Sequence, residues 1–379
     1  MAIERRFSIM HVILEPRYSG AETLVRDLVQ IQSGQGHRTS IVAFRPAQAD
    51  FAPEMKALQE RGSELYIPPR SLEKFRRLKW VFAAIRDARP DIVFAHSMLP
   101  SLYARLAFLL TRRAPIVTVL HTDDDLSNPV LFRMERLLWK WHACVVGVSP
   151  KSIENYLLRT GHAVPTRVIR NGIQTDHFVE VGRNHRAWRE TIYKAAGDEI
   201  IALQVGRIAI QKQQHVSVEA LIRLQANGVR NVRLVLAGVF EEPEYRERVL
   251  RCAQDGGVAD RVQFVGPQGN IGEMLAGADV FLMPSAWEAH SVAALEALAS
   301  GVFCVFSGIA AFADLKTYSG VAMIGNPPTG EELGACLEDL VKTKAWEYRY
   351  ERDLKGSSIS RCAAEYMRLT EEYGRRDSR

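Results

Sequence analysis

The sequence predicts an α/β protein of two doubly wound domains, and three observations carry that prediction. Short β-branched runs alternate with helical patterns along the whole chain. The runs are apolar at nearly every position, as strands buried on both faces of a parallel sheet are. The 379 residues suffice for two domains of about 100–200 residues each. Such alternation is the pattern of parallel sheets wrapped by helices.

The first strand is read at Phe7–Leu14. It follows Arg5 and Arg6 and so imitates a signal peptide. The run is short, however, meets Glu15-Pro16, and lacks a small-residue cleavage site, so a cytoplasmic protein is expected. The amphipathic stretch Ala21–Gln32 comes next, then the strand Thr39–Phe44 and the helix pattern Leu78–Ala88. Strands follow at Asp91–Ala95, Pro115–Leu120, Ala143–Val148 and Arg167–Arg170. A turn at Gly172 and a polar stretch rich in His, Arg and Asn place the joint near Asn171–Arg189. Beyond it, strands are predicted at Ile200–Val205, Arg233–Ala237, Val262–Val265, Val280–Met283 and Val302–Phe306. The intervening helices include His215–Gln225, Glu244–Ala253 and Ser291–Ala299, and the tail Arg361–Tyr373 is helical. Two such domains are expected to face each other across a cleft, with chemistry in the loops after the strands.

Composition narrows the function. Apolar residues make up 47% and charged residues 25%, the usual mix of a globular protein. No uncharged apolar run reaches the roughly 18–20 residues of a membrane span; the best, Val292 to Phe306, is short and contains Glu296. The five cysteines are scattered and form no C-x-x-C, so neither a disulfide framework nor a zinc site is expected. The net charge of +5 is concentrated in the first half. Arg70, Lys74, Arg76, Arg77 and Lys79 cluster near Trp80, and Arg105, Arg112, Arg113, Arg133, Arg136 and Lys140 follow. Two readings stand: solvated helix faces, or attraction to an anionic partner such as a membrane surface or lipid-phosphate acceptor. No nucleic-acid partner is expected, because no nucleic-acid motif is present and aromatics are not interleaved with the basic residues.

The most informative stretch runs from Pro284 to Gly301. Ser291 is a candidate cap for a helix ending near Ala299, with Gly301 as its stop. That helix is apolar nearly all round, which predicts burial, and Glu296 is its one charge. An isolated carboxylate costs several kcal/mol to bury, roughly, unless a cation, a cap or a ligand hydroxyl meets it. The expected helix N-terminus at His290–Ala293 presents free N–H groups, a ready anion site. A second cluster is Gly206-Arg207 at a strand end, with Lys212 five residues later. Glycine admits a ligand close to the backbone, and an Arg fork with a Lys point charge suits a diphosphate.

Together these residues resemble the retaining glycosyltransferases of family 4, which have the GT-B fold. Glu288, seven residues, then Glu296 matches that family, with Pro284-Ser285 before and Ala297 and Gly301 after. Gly206-Arg207 with Lys212 matches its G-R-(x4)-K, and Val168 to Ile173 its V-I-x-N-G-I/V joint. Gly20-Ala21-Glu22 matches part of the first-loop G-G-x-E, and Asp91 to His96 the D-V-V-H-x-H strand. His121 matches a histidine at a strand end of the amino-terminal domain, and the resemblance covers essentially the whole chain. The chain departs at Ser19, which replaces a Gly, and at His290-Ser291, where many members have Phe-Gly.

The resemblance implies an acceptor-side domain over 1–175, a nucleotide-sugar domain over 176–354, and a terminal helix at about 355–379 that packs back on the first. It implies a retaining hexosyltransferase that moves a sugar from a nucleotide-diphosphate sugar to a glycan, lipid-linked or small-molecule acceptor. Cell-surface polysaccharide or glycolipid synthesis, with peripheral contact at an anionic inner membrane face, is the implied setting. Arg207 and Lys212 would stabilise the departing diphosphate, Glu296 would accept from ribose hydroxyls, and Glu288 would face the donor sugar. Gly206, His290, Ser291, Val292 and Gly20 would line the donor site, and His121 would meet the sugar or the acceptor. No metal or cofactor is then required. His11 and His96 read as structural, and Asp123-Asp124-Asp125 as a capping or solvated loop rather than a metal motif. A nucleotide-sugar epimerase, a degenerate nucleotide-sugar-binding protein and a natural-product glycosyltransferase stay open.

Overall fold

The computed structural model describes residues 5–195 and 197–375. The chain forms two compact units: residues up to Gly172 together with those from Ser357 onward, and Ile173–Gly356.

The first unit contains strands β1 (Ser8–Val12), β2 (Arg38–Val42), β3 (Glu64–Tyr66), β4 (Ile92–His96), β5 (Ile116–Leu120), β6 (Cys144–Gly147) and β7 (Thr166–Val168). All pair in parallel, in the order β3-β2-β1-β4-β5-β6-β7. The helices are α1 (Gly20–Gly34), α2 (Ala52–Glu60), α3 (Lys74–Ala88), α4 (Met98–Thr111), α5 (Pro129–Leu138) and α6 (Pro150–Thr160). Alternation in the strands sorts the core into two layers. Met10, Val12, Val93 and Ala95 pack with Val81, Ile85 and Ala104 of α3 and α4. Ile9, Phe94, Val117 and Val119 pack on the opposite face with Leu24 and Leu28 of α1.

The second unit contains α7 (Thr175–Gly182), α8 (His185–Trp188), β8 (Ile200–Val205), α9 (Gln214–Ala226), β9 (Val232–Ala237), α10 (Pro243–Asp255) and β10 (Val262–Gly266). It continues with α11 (Ile271–Gly277), β11 (Val280–Met283), α12 (Val292–Ala299), β12 (Phe303–Ser307), β13 (Val321–Ile324) and α13 (Gly330–Thr343). Its strands run in parallel in the order β10-β9-β8-β11-β12-β13. Both sheets are the doubly wound type expected, and their mid-sheet strands are buried on both faces. Sequence reading missed β3 and β13. Both are short edge strands, paired on one side and partly exposed; β3 reads Glu64-Leu65-Tyr66 and has no apolar run, while β13, Val321–Ile324, is apolar but only four residues long.

The terminal helix α14 (Ile359–Tyr373) belongs to the first unit. Its Ile359, Cys362, Ala363, Tyr366 and Leu369 join the core layer under α1. Gly172 makes this return possible. A Cβ there would stand 2.6 Å from the Ser358 carbonyl and 2.7 Å from the Ile359 Cα.

Candidate active site

The site in the second unit starts at the end of β8. The chain passes Gly206, whose φ is +151°, a value open to glycine and strained for other residues. It then makes a 3-10 turn at Ile210–Lys212 and enters α9. Gln204 Nε2 donates to the Lys212 carbonyl at 2.6 Å, and Ser217 Oγ donates to Gln204 Oε1 at 2.8 Å, which fixes the turn from beneath. The Lys212 stem lies over Gly206; a Cβ on Gly206 would sit 3.0 Å from Lys212 Cε. Gly238 supports this approach from β9, since a Cβ there would meet the Gly206 carbonyl at 2.0 Å.

The second half of the site follows β11. Gln211 joins the two loops: its carbonyl accepts from Ala286 N at 2.9 Å and its Nε2 donates to the Trp287 carbonyl at 2.9 Å. Lys212 Nζ then reaches Glu288 Oε1 at 2.6 Å, with both side chains about nine-tenths buried (11% and 8% exposed). Arg207 donates to Gln211 Oε1 at 2.8 Å and pairs with Glu241. Ser291 caps α12 as expected, its Oγ accepting from Ala294 N at 3.3 Å. Gly206, Lys212, Glu288 and the cap of α12 are thus gathered at the carboxyl ends of β8 and β11, where doubly wound sheets bind ligands. His290 is half-buried in the loop just ahead of Ser291.

One expectation needs correction. Helix α12 is not buried all round: Ala294, Leu295, Ala297, Leu298 and Ala299 are, but Val292, Ala293 and Glu296 form a half-buried stripe. One open stripe relieves Glu296 of the full desolvation cost that an encircled carboxylate would bear. Glu288, expected to face the donor sugar, is also the counter-ion of Lys212. Gln211, Gly238 and Glu241 were missed. Gly238, directly after the apolar run of β9, offered the same signal as Gly206 after β8, whereas the partners of Gln211 and Glu241 come from distant loops.

Gly20 and His121 lie in the first unit. Gly20 is exposed and opens α1, where Ser19 Oγ donates to Glu22. His121 is partly exposed just beyond β5, and its Nε2 lies 2.9 Å from His96 Nδ1. The acidic run beside it is a capping loop. Asp125 accepts from His121 N at 3.0 Å, Asp123 from the Ser149 and Ser152 hydroxyls at 3.0 and 2.9 Å, and Asp124 pairs with Arg159. Burial pushes the Asp125 carboxyl up to about 6.

The basic half of the chain also divides. Lys74, Arg76, Lys79, Arg112, Arg113, Arg133, Arg136 and Lys140 are exposed. Arg77 lies over the Phe44 and Tyr103 rings, and Arg105 is fully buried, donating to Glu135 at 2.6 Å. Arg105 is therefore removed from the surface that an anionic partner would meet.

Comparison with known proteins gives the family and the fold. The sequence model of the Glycosyltransferase Family 4 domain matches residues 18–177, and that of the Glycosyl transferases group 1 domain matches 189–349. The lipopolysaccharide core biosynthesis mannosyltransferase LpsB of Rhizobium meliloti is 32% identical over 162 residues. That match spans 41% of this chain and 44% of LpsB, less than half of either. The putative glycosyltransferase EpsF of Bacillus subtilis is 25% identical over 355 residues, 89% of this chain and 88% of EpsF. The crystal structure of Anabaena HepE in complex with UDP and glucose superposes with a TM-score of 0.75 at 17% identity, covering 97% of this chain and 100% of HepE. At that identity the likeness speaks for the fold.

Proposed function

Because the chain belongs to the family-4 type of GT-B glycosyltransferases, we propose that it transfers a hexose, with retention, from a nucleotide-diphosphate sugar to a glycan or lipid-linked acceptor. The observation that carries this reading is the Lys212–Glu288 pair set beside the Ser291 cap of α12. As the glycosidic bond to the diphosphate breaks, negative charge grows on the leaving oxygen. A preset cation and a helix N-terminus stabilise that charge without reorganising at the moment of reaction. Lys212 turns from Glu288 toward the diphosphate, Arg207 from Glu241, and Glu288 is left to accept from the sugar and to favour positive charge at the anomeric carbon. Glu296, on the open stripe of α12, accepts from the ribose hydroxyls. These groups supply the charge neutralisation, so turnover is expected to proceed at an unchanged rate in excess chelator.

The reading is tested with UDP-, GDP-, ADP- and dTDP-sugars. One nucleotide class is expected to raise the unfolding temperature, by about 2.7 kcal/mol of stabilisation at a hundredfold excess over Kd. The same class should release nucleoside diphosphate when acceptor is added. No shift and no release with any donor would contradict the reading.

The acceptor is best read as a lipid-linked or anionic glycan, a reading supported by the lipopolysaccharide core biosynthesis that the name of LpsB gives for that protein. No described helix is long and apolar enough to cross a membrane. Peripheral contact is supported at the start of α3, where Phe75 is 86% exposed between exposed Lys74 and Arg76. Cations in a first helical turn oppose the helix dipole, so an external anion would gain from them. The chain is expected to sediment with vesicles of phosphatidylglycerol and not with phosphatidylcholine. Lys74→Glu with Arg76→Glu should abolish that binding, and equal sedimentation of the variant would refute the contact.

A further inference from the structure

Three histidines stand at the carboxyl ends of adjacent strands: His11 in β1, His96 in β4 and His121 just past β5. Strand alternation puts them on the face shared by Ile9, Phe94 and Val119, which α1 covers. Gln32, fully buried on α1, completes the row. Gln32 Oε1 lies 2.9 Å from His11 Nε2, His11 Nδ1 3.0 Å from His96 Nε2, and His96 Nδ1 2.9 Å from His121 Nε2. Successive rings stack with centroids 5.3 and 5.1 Å apart.

A neutral imidazole has one donor nitrogen and one acceptor. Burial keeps all three neutral near pH 7, holding His11 and His121 at about 4 and His96 well below its ordinary value. The amide oxygen of Gln32 only accepts, so His11 Nε2 must carry hydrogen and its Nδ1 must be bare. His96 Nε2 then has to donate, and so in turn does His121 Nε2. One oxygen on α1 thereby decides the far end of the row, where His121 is left with a bare Nδ1 that meets no hydrogen-bond partner among the described residues. Gln32 Nε2 also meets none, so the amide acts on the row through Oε1 alone. The row is no proton conduit, because it ends on an amide that cannot take a proton up.

We propose that Gln32, His11 and His96 are positioning residues that lock the polarity of His121, so that His121 presents a hydrogen-bond acceptor and takes a neutral donor group, a sugar hydroxyl or acylamino N–H, in preference to a carboxylate or phosphate. The substrate half of this inference rests on the transferase reading above; the polarity half does not.

The test is a long-range proton–nitrogen correlation spectrum of the full chain with labelled histidine, recorded at neutral pH without substrate. Loss of one signal in His121→Asn assigns that ring. All three rings are expected as Nε2–H tautomers. Gln32→Met, which removes the acceptor, should give mixed tautomers at His121, and Gln32→Glu, which keeps one, should restore the single form. In turnover, Gln32→Met should raise KM for the sugar whose hydroxyl meets His121 about fivefold to tenfold. Removing that hydroxyl from the sugar should cost the wild type the same factor and the variant nothing further. An Nδ1–H form of His121 in the wild type would overturn the proposal, since the Gln32 amide would then face the other way and reverse the whole row. Unchanged tautomers in Gln32→Met would overturn it equally. The spectra need no turnover, so failure of every nucleotide sugar as donor would count against the transferase reading while the polarity result stood.

Discussion

Lys212→Ala is expected to lower kcat/KM by about 10²–10³, the loss typical when one preset group that stabilises a developing oxyanion is removed. Two effects contribute to that number. The ammonium no longer meets the leaving diphosphate, and Glu288, nine-tenths buried, loses its counter-ion. Lys212→Met separates charge from packing, because its stem still covers Gly206. The methionine variant should unfold above the alanine variant, though below the wild type because Glu288 still lacks its cation, yet lose nearly as much activity as the alanine variant. Steady-state release of nucleoside diphosphate, read beside circular dichroism, checks both. A Lys212→Met enzyme with near wild-type turnover would remove Lys212 from the chemistry.

Glu135→Ala is expected to destabilise the first unit by about 3–5 kcal/mol, the range for stripping one partner from a buried ion pair. Arg105 and Glu135 are both fully buried, and Glu135 also accepts from His142 Nε2 at 2.8 Å and from the Tyr156 hydroxyl at 2.6 Å. Without the carboxylate, the Arg105 guanidinium keeps only the Leu138 and Ser101 carbonyls. Arg105→Met combined with Glu135→Leu should recover most of the loss, since an apolar pair of similar volume removes both desolvation costs. Urea unfolding followed by circular dichroism measures each variant; an unchanged midpoint in Glu135→Ala would refute the account.

The same cluster gives the wild type an acid limit. Burial pushes the Glu135 carboxyl up, but the His142 hydrogen bond and the Arg105 charge outweigh it and hold the group at about 2, below its ordinary 4.5. Its contribution is complete above about pH 4.5 and is lost as pH falls toward 2. Burial and the Arg105 charge hold His142 at about 4 against 6.5, so its share of stability fades as pH falls from 6.5 to 4. His11 and His121 add losses of the same sign over the same window.

How much of this was legible in the sequence depended on distance along the chain. Gly206, Arg207 and Lys212 lie within seven residues, and the helix after Ser291 carries its own cap, so both half-sites could be read directly. The Lys212–Glu288 contact joins residues 76 apart, and nothing local to either names the other. The histidine row shows the same limit. Each ring sits at a legible strand end, but that β1, β4 and β5 are neighbours follows only from the strand order. Edge strand β3 escaped because Glu64-Leu65-Tyr66 has no apolar run, and β13 because its apolar run is only four residues long. Arg105 looked like one more surface cation, and only its placement under α5 shows otherwise.

The central claim is that a diphosphate leaving group is held by Lys212 beside the amide end of α12. Calorimetric titration of the wild type and of Lys212→Met with the preferred nucleoside diphosphate, and with the matching nucleoside, tests it most directly. The account predicts at least a tenfold weaker diphosphate in the variant and an unchanged nucleoside. Equal diphosphate affinity in the two proteins would contradict it.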